Sequence, residues 1–326
     1  MKKLLALVLV AAMLLSLASL SLAAEELVLR RHYTTPHGER GFARVVVAMV
    51  GDKIVGVALD EFQYVAPGEG VTPVPNTEAL AASVKENNVL ISKRVSSASY
   101  SKNMAEKAGS TVAIDANYDA VQAFCVGKTV ADLEAVIAAA EPGKPIDAVT
   151  GATLADTAGY LNAIVETAKS DAFIVKGSVE DATKVVLKQG QGAPHGTKAF
   201  GDVVVALEND KIVAVSMDEF QYFAGTGVPN SDKAFGGAYA DATKPLASKL
   251  VNAEAYSKNM VEKAQSTVSI DANYAAIEAF CVGKTAAELK EFAGKQEAGK
   301  PVDAVTGATL ADTVGYLNMI ADVAAL

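Results

Sequence analysis

Apolar positions recur along this chain with two periods, and the change from one to the other occurs twice. Residues Val45 to Met49 and Ile54 to Leu59 are apolar or alternating and rich in valine, with Gly51-Asp52 between them. Val203 to Leu207 and Ile212 to Met217 repeat the arrangement around Asn209-Asp210. Such paired runs predict β-hairpins. The period then lengthens. Ile114, Tyr118, Val121 and Cys125, and later Ile270, Tyr274, Ile277 and Cys281, stand at spacings of four, three and four, which lines up one apolar face of a helix. Each of these helices is predicted to stop at a glycine, Gly127 or Gly283. The next starts at Thr129 with Asp132, or Thr285 with Glu288, spaced as capping boxes. A third helix is expected from about Leu154 to Lys169, and again from Leu310. Hairpins first and helices afterwards predict an α+β fold, an antiparallel sheet packed with helices in each half.

The two halves share words as well as patterns. SYSKNM, IDANY, AFCVGKT and DAVTGATLADT in the first return as AYSKNM, IDANY, AFCVGKT and DAVTGATLADT in the second. Tyr100 and Tyr256, Cys125 and Cys281, and Thr153 and Thr309 are all 156 positions apart, whereas Pro36-His37-Gly38 and the DEFQY segment recur at an offset of 158. A period this long, present twice, predicts two tandem homologous domains rather than a solenoid. We place them at 24–170 and 171–326, with the boundary near Ser170, each long enough to bury a core of its own.

Ahead of them, Lys2 and Lys3, an apolar stretch from Leu4 and the small-residue pattern Ser21-Leu22-Ala23 read as a signal peptide over 1–23. The expected location is therefore secreted or cell-envelope, outside the cytoplasmic membrane. The apolar stretch also approaches the roughly 20 residues that span a bilayer, so an uncleaved N-terminal anchor is the alternative. Without the two leader lysines the chain has 27 basic and 38 acidic residues, a net charge of −11. That balance argues against nucleic acid and favours neutral or cationic partners. Two cysteines make no disulfide framework, and no CxxCH marks a haem site.

The chemistry lies in a string that occurs twice. Asp147-Ala148-Val149-Thr150-Gly151-Ala152-Thr153 and Asp303 to Thr309, with Thr306, Gly307 and Ala308 in the same places, resemble the DxxTGAT signature of FMN-binding domains in NqrC- and RnfG-type subunits of ion-pumping redox complexes. The hairpin, the DEFQY strand, the YSKNM segment and the helix ending in GKT follow the same order as in exported FMN-binding domains. The likeness covers essentially the whole mature chain. A tandem pair is similar to the two-FMN surface flavoproteins of Gram-positive extracellular electron transfer, although no lipid-bearing cysteine is present here. Ala155 and Ala311 also stand where many relatives of that kind have Ser or Thr. The resemblance implies two covalent FMN groups, joined to Thr153 and Thr309 by phosphoester bonds that an ApbE-type flavin transferase makes.

Physical chemistry adds a reason and a rival. A helix beginning just after the threonine would offer free N–H groups and a positive dipole end to a phosphate, and Gly151 would let the backbone approach it. Equally, Thr153 with Asp156, and Thr309 with Asp312, have the spacing of plain helix caps. Lys102 and Lys258 are candidates to stabilise a reduced flavin, and Tyr100 and Tyr256 to stack on it.

Other features have structural readings. GKT at 127–129 and 283–285 lacks the leading glycine of a phosphate loop and reads as helix stop and start. Cys125 and Cys281 are expected as buried thiols. His37 and His195 belong to Pro-His-Gly turns without ligand spacing for a metal, and neighbouring carboxylates in Asp60-Glu61 and Asp218-Glu219 should point to opposite faces of a strand. The implied function is an electron carrier, membrane-associated or free, between a membrane quinol or NADH-linked donor and small-molecule or metal-oxide acceptors. The alternatives are an extracellular flavin-dependent reductase component and a flavin-free surface binding module.

Overall fold

A computed structural model describes residues 24–326, so the leader expected at 1–23 lies outside the described residues. The first half runs β1 (Glu25–Thr34), β2 (Gly41–Val50), β3 (Lys53–Val65), α1 (Thr77–Leu80), β4 (Val89–Ser92), α2 (Ser97–Ala108), α3 (Ile114–Cys125), α4 (Val130–Ala138) and α5 (Thr157–Lys169). The second opens with β5 (Phe173–Val179), which has no counterpart among the described residues of the first. It then repeats the order with β6 (Val186–Gly192), β7 (Ala199–Glu208), β8 (Lys211–Tyr222), β9 (Leu246–Ser248), α6 (Ala253–Ala264), α7 (Ile270–Cys281), α8 (Ala286–Ala293) and α9 (Thr313–Ala324). The fold is α+β. Every strand pairing is antiparallel, in a five-stranded sheet ordered β4-β3-β2-β1-β5 and a four-stranded sheet ordered β6-β7-β8-β9.

The hairpins fall where the valine runs predict them. In the second, Asn209 and Asp210 both adopt left-handed φ, 49° and 65°, the conformation that matches a tight turn to strand twist. The helix after each GKT segment opens on a reciprocal capping box, Thr129 with Asp132 and Thr285 with Glu288. GKT also ties back to the sheet: Gly127 N–H donates to Ile54 O at 2.8 Å and Ile54 N–H to Lys128 O at 2.9 Å.

Both faces of each sheet are covered, which is why β2 and β7 read as nearly unbroken apolar runs. On the outer face of the first sheet Val45, Val47 and Leu59 pack against Tyr118, Val121 and Leu161 of the helices; Val203, Val205 and Met217 meet Tyr274, Ile277 and Leu317 likewise. The inner faces meet each other. Phe42, Phe62, Phe200 and Phe220 form one aromatic cluster, and Leu29, Val46 and Ala48 pack with Val204, Ala206 and Ala214. The layers are thus helices, sheet, sheet, helices. Each half has an outer core of its own and shares the inner one.

Contacts between the halves are reciprocal, as about an approximate two-fold axis. Tyr64 and Tyr222, counterparts in sequence, share a hydrogen bond of 2.6 Å. Asn76 donates to Gly196 O and Ala199 O at 2.8 and 2.7 Å, and Asn230 returns the contact to Gly38 O and Gly41 O at 2.9 and 2.7 Å. One break in the symmetry is a buried pair. Arg44 and Asp202 are also counterparts, and they form a two-point ion pair at 2.8 and 3.1 Å, joined by Arg31 at 2.8 Å. Burial opposes the charge on Asp202, but the two guanidinium groups hold its carboxyl below the usual range. Two arginines or two aspartates here would leave buried like charges, so the substitution fits one half to the other.

Two details differ from the sequence expectation. The last helix of each half begins at Thr157 and Thr313, three residues later than expected. The cause is local: Thr157 turns its N–H and its hydroxyl onto Leu154 O, at 3.1 and 2.6 Å, so residues 154–156 make a turn and Asp156 stands at the cap. In addition, β5 begins just past Ser170 yet pairs with β1, in register from Glu25 with Val179 to Arg31 with Phe173.

Candidate functional site

The DAVTGAT string is two successive tight turns. Val149 N–H donates to Ile146 O and Ala152 N–H to Val149 O, at 2.9 and 3.0 Å; Val305 and Ala308 repeat this at 2.8 and 3.0 Å. Gly151 and Gly307 occupy the third place of the second turn with φ of 93° and 95°, where a type II turn calls for glycine. A Cβ on either would also crowd Ala120 or Ala276. Ala152 and Ala308 are buried, anchoring the loop, whereas Asp147, Thr150, Asp303 and Thr306 are exposed.

These turns deliver Thr153 and Thr309 exposed at the surface. Neither caps a helix. The backbone N–H of Thr153 donates to Asn117 Oδ1 at 2.7 Å, and that of Thr309 to Asn273 Oδ1 at 2.6 Å. Both asparagines are fully buried in the IDANY helices and donate their own amides to the turn ahead, Asn117 to Val112 O and Ala113 O. The reciprocal Thr153–Asp156 and Thr309–Asp312 caps weighed from sequence are therefore not formed. The aspartates are engaged elsewhere: Asp156 Oδ2 lies 2.7 Å from His37 Nδ1, and Asp312 Oδ2 lies 3.0 Å from His195 Nδ1, there off the line of a hydrogen bond. The glycine two residues into each helix explains how the histidine arrives, since a side chain on Gly159 or Gly315 would overlap the carbonyl of Pro36 or Pro194. The Pro-His-Gly turn and the TGAT segment form one unit.

Beside Thr309 lies a cleft of about 410 Å³, in the size range of small-molecule sites. Its walls include Thr309, Asp312, His195, Tyr256, Met260 and Lys249. Tyr256 bonds Gln221 at 3.3 Å, as Tyr100 bonds Gln63 at 3.2 Å. Tyr100 borders a different cleft, of about 500 Å³, with Tyr64 and Arg40. Lys102 and Lys258 are exposed on α2 and α6, and Lys258 is not among the residues lining the Thr309 cleft.

The lysines that do approach the tyrosines are Lys93 and Lys249, just after the short strands. Each ammonium sits over a ring, Lys93 over Tyr100 at 4.9 Å and Lys249 over Tyr256 at 4.8 Å. Each also pairs with a buried glutamate, Lys93 with Glu61 at 2.8 Å and Lys249 with Glu219 at 2.5 Å. Two tyrosine hydroxyls complete each cluster: Tyr118 and Tyr160 donate to Glu61 at 2.6 and 2.7 Å, Tyr274 and Tyr316 to Glu219 at 2.8 and 2.6 Å. Burial works against ionising these carboxylates, yet the lysine beside each holds it below the ordinary range, and each lysine is raised in return. The pairs are charged. Asp60 and Asp218 face the other way, to Ser92 and Ser248, as neighbours on a strand must.

Cys125 and Cys281 are buried free thiols pushed up to about 12 by burial. Among the described residues no group of His, Cys, Asp and Glu is placed to hold a metal ion, and no helix is long and apolar enough to cross a membrane. Asn117, Asn273, Lys93, Lys249 and the histidine–aspartate contacts were not singled out from sequence. The signal for the asparagines was present, a polar residue repeated beside the buried tyrosine of an apolar helical face. Comparison with protein-family models, curated proteins and solved structures finds no match for this chain.

Proposed function

We propose that the protein is an exported electron-transfer flavoprotein built of two homologous FMN-binding domains, with one FMN esterified to Thr153 and another to Thr309. The observation that supports this most is that the same string ends twice on an exposed threonine, one of them at the edge of a cleft of about 410 Å³ with an aromatic and an apolar wall. The residues there suit the group. Tyr256 and Met260 offer a surface for a planar ring, His195 stands in the wall of the same cleft, and Asn273 fixes the backbone at the point of attachment. The last helix begins four residues beyond Thr309, whose own N–H is already taken, so a phosphate on this oxygen relies on side chains more than on helix-end amides.

FMN when bound takes up one or two electrons, so such a chain can join a two-electron donor, a membrane quinol or NADH-linked enzyme, to small-molecule or metal-oxide acceptors. Covalent attachment suits a location outside the cytoplasmic membrane, where a cofactor held only by equilibrium is lost to dilution. An ApbE-type transferase makes the bond. The deciding measurement is the intact mass of protein exported from a host that contains the transferase. Wild type should gain two FMN groups less two waters, Thr153→Ala and Thr309→Ala one each, and the double variant none. Absence of added mass, with a control domain modified in the same cells, overturns the proposal.

A further inference from the structure

The two halves differ most sharply at a place away from the TGAT loops. In the first, the guanidinium of Arg94 closes the space beside α3: Nε donates to Leu59 O at 3.3 Å, one terminal nitrogen to Asp119 at 2.7 Å, the other to Gln122 Oε1 at 3.3 Å. Its carbon lies 5.6 Å from the centre of the Tyr118 ring. Gln122 Oε1 also accepts the Leu59 N–H at 2.7 Å. The counterparts in the second half are Leu250 for Arg94, Met217 for Leu59, Ala275 for Asp119, Glu278 for Gln122 and Tyr274 for Tyr118. The arginine is gone, and an open cleft of about 240 Å³ stands there, lined by these five residues and, among others, by residues 172–175 at the start of β5, which has no counterpart among the described residues of the first half.

We propose that this cleft binds a guanidinium group, in the position that the side chain of Arg94 takes in the first half. Glu278 is 8 % exposed, and Oε1 accepts the Met217 N–H at 2.8 Å while Oε2 has no hydrogen-bond partner among the described residues. The carbonyl of Met217 points to the same side of the strand as its N–H. A planar fork of N–H donors can therefore meet a carboxylate and a carbonyl together and lie against the Tyr274 ring, a geometry that guanidinium satisfies and ammonium does not. The exposed Asp271 at the rim adds negative charge, while the nearby Arg31 is already matched by Asp202.

Burial raises the Glu278 carboxyl to about 8; the Met217 amide and Arg31 restrain the rise and Asp218 adds to it. At pH 7 the empty site holds a proton that the incoming cation displaces. The charged and titratable groups around it are Asp218 and Arg31 on the strands, and Asp271, Tyr274 and Cys281 on its own helix.

The site does not depend on flavin, so the test uses the full chain with or without it. Methylguanidinium is titrated by calorimetry in two buffers of different ionisation enthalpy. The expected result is saturable binding with proton release, weakened by about tenfold or more in Glu278→Gln, the loss of one charge-assisted contact. It should be abolished in Leu250→Arg/Ala275→Asp, which rebuilds the first-half cluster inside a folded chain. Agmatine binding more tightly than N-acetyl-arginine amide would identify a free small molecule as the ligand, and the reverse order an arginine side chain of a protein. No saturable binding, or equal affinity in wild type and both variants, overturns the proposal.

Discussion

The first half closes the side of α3 with Arg94, Asp119 and Gln122; the second keeps the corresponding strand and helix and replaces all three, with Leu250, Ala275 and Glu278. A few residues away, the Lys–Glu–Tyr–Tyr cluster, the asparagine behind the threonine and the Pro-His-Gly turn are kept in both. The contrast separates two kinds of buried polar group. Those that bond the TGAT threonine or join the Lys–Glu pair to two helices are the same on both sides, whereas those around Arg94 have been exchanged. At the junction of the halves a third kind appears, where counterparts are complementary instead of alike, Arg44 facing Asp202.

The largest test of this comparison is made at that junction. Asp202→Ala strands two buried guanidinium groups, Arg44 and Arg31, and should cost about 3 to 5 kcal/mol in urea unfolding. Arg44→Ala leaves the aspartate paired with Arg31 and should cost clearly less; an equal cost for the two variants would mean that Arg31 takes no part in matching the halves. Next in size is Glu278→Gln, which restores the first-half residue. Because the folded state raises this carboxyl to about 8, the folded chain binds the extra proton, and Glu278 erodes stability as pH rises from its unfolded value through 8. The variant should gain on the order of 3 kcal/mol at pH 9 and nothing near pH 4. A gain independent of pH would assign the effect to packing.

Smaller effects test the likeness of the two threonine loops. Asn117→Ala and Asn273→Ala each remove the acceptor of a threonine N–H and two buried amide donations, and should lose about 1 to 3 kcal/mol, equally in the two halves. Flavin mass that falls at one threonine only would show that the loops are not equivalent. The smallest expected change is none: Cys125 and Cys281, pushed up to about 12, should resist a thiol reagent at pH 8 until the chain unfolds. Rapid labelling of one of them in folded protein would reveal local opening in that half.

Periodicity carried much of the fold. The hairpins, the IDANY helices and the capping boxes after GKT were all legible, because each depends on residues close in sequence. The start of the last helix was not, since Thr157 folds back on Leu154 and the pattern of apolar residues does not register that turn. Of the candidate site, the string was legible and its surroundings only in part. Tyr256 lines the cleft beside Thr309, while the lysine above it is Lys249, just past the edge strand, and not Lys258 from the tyrosine's own helix. Spacing along one helix cannot show which lysine another element brings across. Nor does either repeat, read separately, disclose that Phe62 packs on Phe220.

Strand β5 has a bearing on how the protein is made. The first sheet gains its fifth strand only when residues 173–179 have left the ribosome, and its inner face stays bare until β7 and β8 follow, as far as Tyr222. At about 5 to 20 residues per second, translation leaves that apolar face uncovered for roughly 3 to 10 s after Ser170 has been added. A chain built in this way benefits from staying extended, or chaperoned, until its second half arrives.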